Sequence, residues 1–177
     1  AVCAAVGADP EAMRDAIAAF SGVEHRLEPA GEVAGVLFIN DSIATTPSRT
    51  IAALMAMERP VVLIAGGYDK RLPFDEMARL ALGKVHTVAL VGVTADKIQQ
   101  AFEESADRAG VQPPAIIRAD TFREAVEAAR LASRPGDAVL LSPACASYGL
   151  FRNFEERGRT FKQLVSEFAA EAGEARE

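Results

Sequence analysis

Strand and helix signals alternate along this chain, and the alternation predicts an α/β fold. The expected architecture is a Rossmann-like, mostly parallel sheet with helices on both faces and a short antiparallel hairpin near the N-terminus. Apolar runs at Val61–Ala65, 87–91, 115–117 and Ala138–Leu141 have no polar alternation, so they read as strands buried on both faces. Segments of helical composition at 74–82, Ala95–Ala109 and Phe122–Ala132 fall between them. The last apolar run stops abruptly at Ser142-Pro143 and small residues follow. That is a loop at a strand end, where open α/β sheets hold their ligands.

Taken in order, residues 10–20 are helical in composition, with Asp9 as the cap and Pro10 at the first helical position. Met13, Ile17 and Phe20 keep a helical period. Residues 27–29 and 36–39 flank Gly31-Glu32-Val33-Ala34-Gly35, a hairpin with a Gly-containing loop. Pro47 suits another helix start with Thr46 as its cap, and Ile51, Leu54 and Met55 give that helix a buried face. The alternating strands and helices follow, the strand at 115–117 carrying the weakest signal. A last helix is expected over 149–170, with residues 171–177 as a frayed tail.

At 177 residues the chain is long enough for one domain with a proper core, and half of it is hydrophobic. A net charge of −6 argues against nucleic acid or an anionic membrane as the main partner. No run has the length of a membrane span, and the first 20 residues lack the basic start of a signal peptide. Cys3 and Cys145 are too few and too far apart for a disulfide framework, which fits a reducing, cytoplasmic setting. His25 and His86 have no metal-ligand spacing around them, so no metal site is expected.

Three segments carry possible chemistry. Gly66-Gly67-Tyr68-Asp69-Lys70 follows a strand directly; its glycines allow close backbone approach, and Lys70 offers a mobile cation for a carboxylate or phosphate. Read alone, the segment is more simply a Gly-rich turn with a solvated lysine. Asn40-Asp41-Ser42-Ile43-Ala44-Thr45-Thr46-Pro47 lies between a strand and a helix, so Thr45 could donate to an anion at the helix N-terminus, or the polar side chains could simply satisfy the turn. In the third segment, 141–158, Ser147 can donate to a carboxylate, as can the backbone around Phe154. Cys145 reads as a buried small side chain, not a nucleophile. Glu155, Glu156, Arg157 and Arg159 read as a solvated helix face.

These three motifs, in this order, resemble the C-terminal domain of the Mur ligases, in particular those that add D-glutamate, over roughly residues 20–164. The resemblance implies that Thr45, Lys70, Ser147 and Phe154 orient D-glutamate. Asp41, and Arg26 in the His25-Arg26 pair, would touch ATP. Many such ligases carry Lys where this chain has Ile43, so a charge contact there is lost. The family joins D-glutamate to UDP-N-acetylmuramoyl-L-alanine through an acyl phosphate, using ATP and magnesium. No Gly-x-x-x-x-Gly-Lys-Ser/Thr phosphate loop occurs in these 177 residues, nor a Gly-x-Gly-x-x-Gly after a strand. The resemblance therefore implies that residues 1–22 are the terminal helix of a central ATPase domain and 23–170 the C-terminal domain. That domain would dock on the ligase's own N-terminal and central domains, with no catalytic residue or metal ligand of its own.

Asp-Asn-Pro-Arg, expected of a ligase that adds a diamino acid, is absent. The alternatives are another Mur or folylpolyglutamate-type ligase domain, or a stand-alone α/β module that binds a small anion without catalysis.

Overall fold

Successive residues of a strand face opposite sides, and here both sides are apolar, so the sheet must be covered twice. The computed structural model describes residues 2–20 and 22–174. Its strands are Glu28–Val33 (β1), Val36–Asn40 (β2), Val61–Ala65 (β3), Val85–Val91 (β4), Ala115–Ala119 (β5) and Ala138–Leu141 (β6). They form one sheet in the order β1-β2-β6-β3-β4-β5. Only the β1–β2 pair is antiparallel; the other four pairings are parallel. The helices are Val2–Ala5 (α1), Pro10–Ala19 (α2), Pro47–Ala56 (α3), Asp75–Ala81 (α4), Ala95–Ala109 (α5), Phe122–Ala132 (α6) and Phe154–Glu174 (α7).

The two faces separate cleanly. Leu63, Val88, Leu90 and Leu140 pack with Leu54, Met77, Ile98 and Phe102 of α3, α4 and α5. On the other face Phe38, Val62, Ile64, Val139 and Leu141 pack with Phe122 and Val126 of α6 and with Phe161, Leu164, Val165 and Phe168 of α7. The neighbours β3 and β6 thus send their chains to opposite faces, β3 to α4 and β6 to α7. A crevice at their carboxyl ends follows from that divergence.

Several expectations are corrected. The hairpin loop is only Ala34-Gly35, with φ of 51° and 79°, the left-handed pair that a two-residue turn of strand-matching twist requires. Gly31 lies inside β1, at a register shift after Pro29. Thr46 occupies the cap position of α3 but makes no side-chain cap bond; its hydroxyl pairs with that of Ser48, 3.1 Å away. Leu54 of α3 is buried as expected, whereas Met55 is 63% exposed and Thr50 and Ala53 take the inner positions. Helix α7 starts at Phe154, not 149, because the Leu150 and Phe151 amides bond back to the Ser147 carbonyl and close a turn first. It continues to Glu174, through the first part of the expected tail; residues 175–177 lie outside the described residues.

Asp9 caps α2 as read, its Oδ2 accepting the Ala12 amide at 2.9 Å. Yet no α2 residue is buried, and Ile17 and Phe20 are 76% and 66% exposed. No described helix is long and apolar enough to cross a membrane.

Phe38 of β2 is fully buried, its ring centroid 6.3 Å from those of both Phe161 and Phe168. Phe38→Ala should cost about 3–5 kcal/mol, the usual range for emptying an aromatic core site. Urea denaturation measures this, and an unchanged midpoint would mean that α7 is anchored elsewhere.

Candidate functional site

Three loops meet at the carboxyl edge of the sheet, and backbone bonds lock two of them. Gly66 N donates to Pro143 O and Tyr68 N to Ala146 O, each at 2.9 Å. The loop after β3 therefore runs against the loop after β6. A Cβ on Gly66 would lie 2.0 Å from Val91 O, and one on Gly67 2.4 Å from Ala146 O. Both glycines also have positive φ, so the motif's glycines are required by close backbone approach.

Lys70 emerges from this loop and reaches the loop after β2. Its Nζ donates to Thr45 O at 3.1 Å and to Thr45 Oγ1 at 3.3 Å. Two residues picked from separate motifs thus share one place. Ser147 is buried on the adjoining loop, one residue beyond the Tyr68–Ala146 bridge. Phe154 is engaged elsewhere: its carbonyl accepts from Ser42 Oγ at 2.7 Å, and its ring meets His25 edge-on with centroids 6.0 Å apart. Burial raises the Cys145 thiol, whose Sγ rests 3.3 Å from Thr94 Oγ1. It is the buried small side chain the sequence suggests.

Behind these loops lies a residue that the sequence reading placed in solvent. Arg157 is 2% exposed. Its Nε donates to Ser42 Oγ at 3.0 Å, its Nη2 to Ser42 O at 2.9 Å and to Cys145 O at 3.1 Å, and its Nη1 to Cys145 O at 3.2 Å. None of these acceptors is a carboxylate. Burial lowers the guanidinium to about 10, which leaves it charged at neutral pH. The helical period held the missed signal: Phe154, Arg157, Phe161, Leu164 and Phe168 fall on one stripe of α7, and that stripe faces the core.

A second polar group fixes the start of the domain. Asn40 Oδ1 accepts the Ser42 amide at 3.2 Å, so its Nδ2 must face His25 Nδ1, 2.9 Å away. In the neutral imidazole that arrangement makes Nδ1 the acceptor and Nε2 the ring N–H. That atom is buried without a hydrogen-bond partner. Gly158 of α7 permits the arrangement, since a Cβ there would lie 2.2 Å from His25 Nδ1. Lys162 Nζ bonds Glu24 Oε1 at 2.8 Å and Glu28 Oε1 at 2.9 Å. Burial alone would raise the Glu28 carboxyl, but Lys162, the His25 amide and Asn40 together hold it below its ordinary value.

Arg26 and Asp41 come from different segments of the chain. Both line a cavity of about 230 Å³ with Leu27, Ile43, Ala44, Arg49, Ala52 and Ala53. Asp41 accepts the Leu27 amide at 3.2 Å and the Ser142 hydroxyl at 2.8 Å. Burial raises its carboxyl, against those two bonds and the charges of Arg26 and Arg49. Ile43 is part of the wall, an apolar contribution where a lysine would bring charge. Arg49 was not anticipated, because nothing in its local sequence separates it from an ordinary helix-surface arginine.

Residues 25–145 match the family described as Mur ligase, glutamate ligase domain. The chain is 51% identical over 157 residues to a UDP-N-acetylmuramoylalanine–D-glutamate ligase of Clostridium kluyveri, which covers 89% of this chain and 34% of that protein. It is 52% identical over 165 residues to the protein of the same name from Symbiobacterium thermophilum, covering 93% of this chain and 35% of the relative. The chain thus spans about a third of the length of these curated relatives. Among solved structures, the UDP-N-acetylmuramate–alanine ligase of Thermotoga maritima superposes with a TM-score of 0.64 at 16% identity, over 94% of this chain and 35% of that one. At that identity the likeness is one of fold.

Two results should follow from the polar groups. Arg157→Met should destabilise by about 1–3 kcal/mol for each buried carbonyl left without a donor, and Arg157→Lys should not restore it, since one ammonium lacks the planar fork. Chemical denaturation of both variants measures this. The Glu28 carboxyl is depressed, so the unfolded chain binds its proton first and stability falls as pH drops below about 4.5. Lys162 is raised instead, so its share is lost only in alkali, above about 10.5. Thermal midpoints between pH 5 and 3 should therefore fall less steeply in Lys162→Met than in the parent; identical slopes would remove this cluster from the acid response.

Proposed function

The chain belongs to the Mur ligase family, as its glutamate ligase domain, and we propose that it is the C-terminal domain of an ATP-dependent ligase that joins D-glutamate to UDP-N-acetylmuramoyl-L-alanine. The observation that carries this reading is the pairing of Lys70 with Thr45 at the crevice, together with relatives at about half identity that are named for this reaction. On this reading the enzyme works in the cytoplasm on a cell-wall precursor. Its acceptor carboxylate takes the terminal phosphoryl group of ATP and releases ADP. The amine of D-glutamate then attacks the acyl carbon and displaces phosphate, leaving an amide.

This chain's part is positioning and charge. Lys70 takes a carboxylate of D-glutamate, and Thr45 and Ser147 donate hydroxyl hydrogen bonds beside it. Phe154 would join them only from the start of α7, where its carbonyl accepts the Ser42 hydroxyl and its ring meets His25. Arg26 and Asp41 receive ATP at the neighbouring cavity. Magnesium would neutralise phosphate charge, but no ligands for it are drawn from these residues. Among the described residues the grouping with metal-ligand reach is Glu24, His25 and Glu28, and the Lys162 ammonium already bridges its two carboxylates. The metal and the phosphate loop belong, on this reading, to the other two thirds of the enzyme. Residues 1–22 would close the central domain, with α2 as its last helix. The bare apolar side of α2, with Ile17 and Phe20 exposed, supports that assignment.

In the complete ligase, Lys70→Ala should remove a charge-assisted bond worth about 1.5–3 kcal/mol. The apparent D-glutamate constant should then rise roughly ten- to a hundredfold while that of ATP stays within experimental error. Steady-state assays of ADP release read both constants. An unchanged D-glutamate constant in a folded variant would reduce Lys70 to a loop lysine.

A further inference from the structure

The cavity beside Asp41 carries two guanidiniums, and the nucleotide assignment uses only one. Arg49 sits in the first turn of α3, and with Ala52 and Ala53, three and four residues on, it presents one helix face to the cavity. Among the described residues Asp41 is the only carboxylate lining the space, and both its oxygens are already engaged by Leu27 N and Ser142 Oγ. Neither Arg26 nor Arg49 has a side-chain hydrogen bond or ion pair among the described residues.

Arg49 is exposed, and across the cavity the Asp41 carboxylate offsets part of its charge. A helix N-terminus carries partial positive charge and favours acidic side chains in its first turn. In α3 that turn holds no acidic residue, and Arg49 adds a full positive charge there. Arg26 contributes another across the same space. An anion in the cavity would meet the positive charge that the single Asp41 carboxylate leaves over. The rest of the lining, Leu27, Ile43, Ala44, Ala52 and Ala53, is aliphatic and suits a flat ring. At about 230 Å³ the cavity is also smaller than the roughly 300–1,000 Å³ that encloses a whole small ligand. It fits one part of a ligand whose remainder lies beyond this domain.

We propose that Arg49 is a second nucleotide-binding residue of this domain, holding the same ATP as Arg26. The inference rests on the assignment of this cavity to ATP and adds to it a residue from a different element. Guanidinium is the group for the task, since it stacks on a base and pairs with phosphate oxygens. Arg26 comes from the start of the domain and Arg49 from α3, so the nucleotide would join those two segments when it binds.

The test uses the complete ligase and four variants, Arg49→Ala, Arg49→Lys, Arg26→Ala and Lys70→Ala, with apparent constants for ATP and D-glutamate and a thermal midpoint for each. Arg49→Ala should raise the ATP constant roughly five- to tenfold and leave the D-glutamate constant and the midpoint unchanged. Arg49→Lys should recover part of the loss. If Arg26→Ala weakens ATP and Arg49→Ala does not, the inference about Arg49 falls and the cavity assignment stands. If neither weakens ATP while Lys70→Ala still weakens D-glutamate, the cavity assignment itself has failed. A lower midpoint in Arg49→Ala with both constants raised alike would make Arg49 a structural partner of Asp41 and overturn the proposal.

Discussion

The Arg157 guanidinium is the constraint on which the crevice depends. It is buried beneath the loops after β2 and β6 and holds them through Ser42 and Cys145, with neutral oxygens as its acceptors among the described residues. A buried charge without a counterion is costly, so it persists only where several bonds of good geometry are made together. The planar fork makes that possible by reaching two backbone carbonyls and a hydroxyl that belong to separate loops. Because Arg157 lies on α7, the helix packed on β1 and β2 also sets the spacing of the loops that carry Asp41, Thr45 and Ser147.

The loop after β2 serves two places within a few residues. Asp41 turns inward, fixed by Leu27 and Ser142, and lines the cavity with Arg26 and Arg49. Thr45 turns the other way, toward Lys70. Between them Ser42 is tied to Phe154 and Arg157. The segment is thus pinned in its middle, which keeps the two flanking positions at a fixed separation. A shift of α7 would be felt at both.

Much of this was legible in the sequence, for a physical reason. Strands buried on both faces have to be continuously apolar, so β3, β4 and β6 stand out by composition. Glycines next to a strand end, such as Gly66 and Gly67, mark backbone too crowded for a Cβ. What the sequence hid are the groups defined by partners far away in the chain. Arg157 looks solvated beside Glu155, Glu156 and Arg159, and its burial depends on Ser42, 115 residues earlier. Arg49 and Arg26 share a cavity only after β2 and α3 have been placed. The hairpin differs for a local reason: Gly31 looks like a turn residue but pairs with Phe38 inside β1, beside the bulge at Ala30, and Ala34 takes the left-handed position that composition would give to glycine.

The strand order has a consequence for how the chain is made. β6, the last strand of this sheet to be synthesised, is inserted between β2 and β3, which are made about a hundred and about eighty residues earlier. Until residues 138–141 emerge, β2 and β3 each expose an unpaired edge on the side where they will receive β6. Such edges are ready templates for pairing with another chain. The half-made domain can assemble β3, β4 and β5 as they appear, but the crevice waits for the last strand of the sheet. The nascent chain is thus most exposed to aggregation during the interval before its central strand arrives.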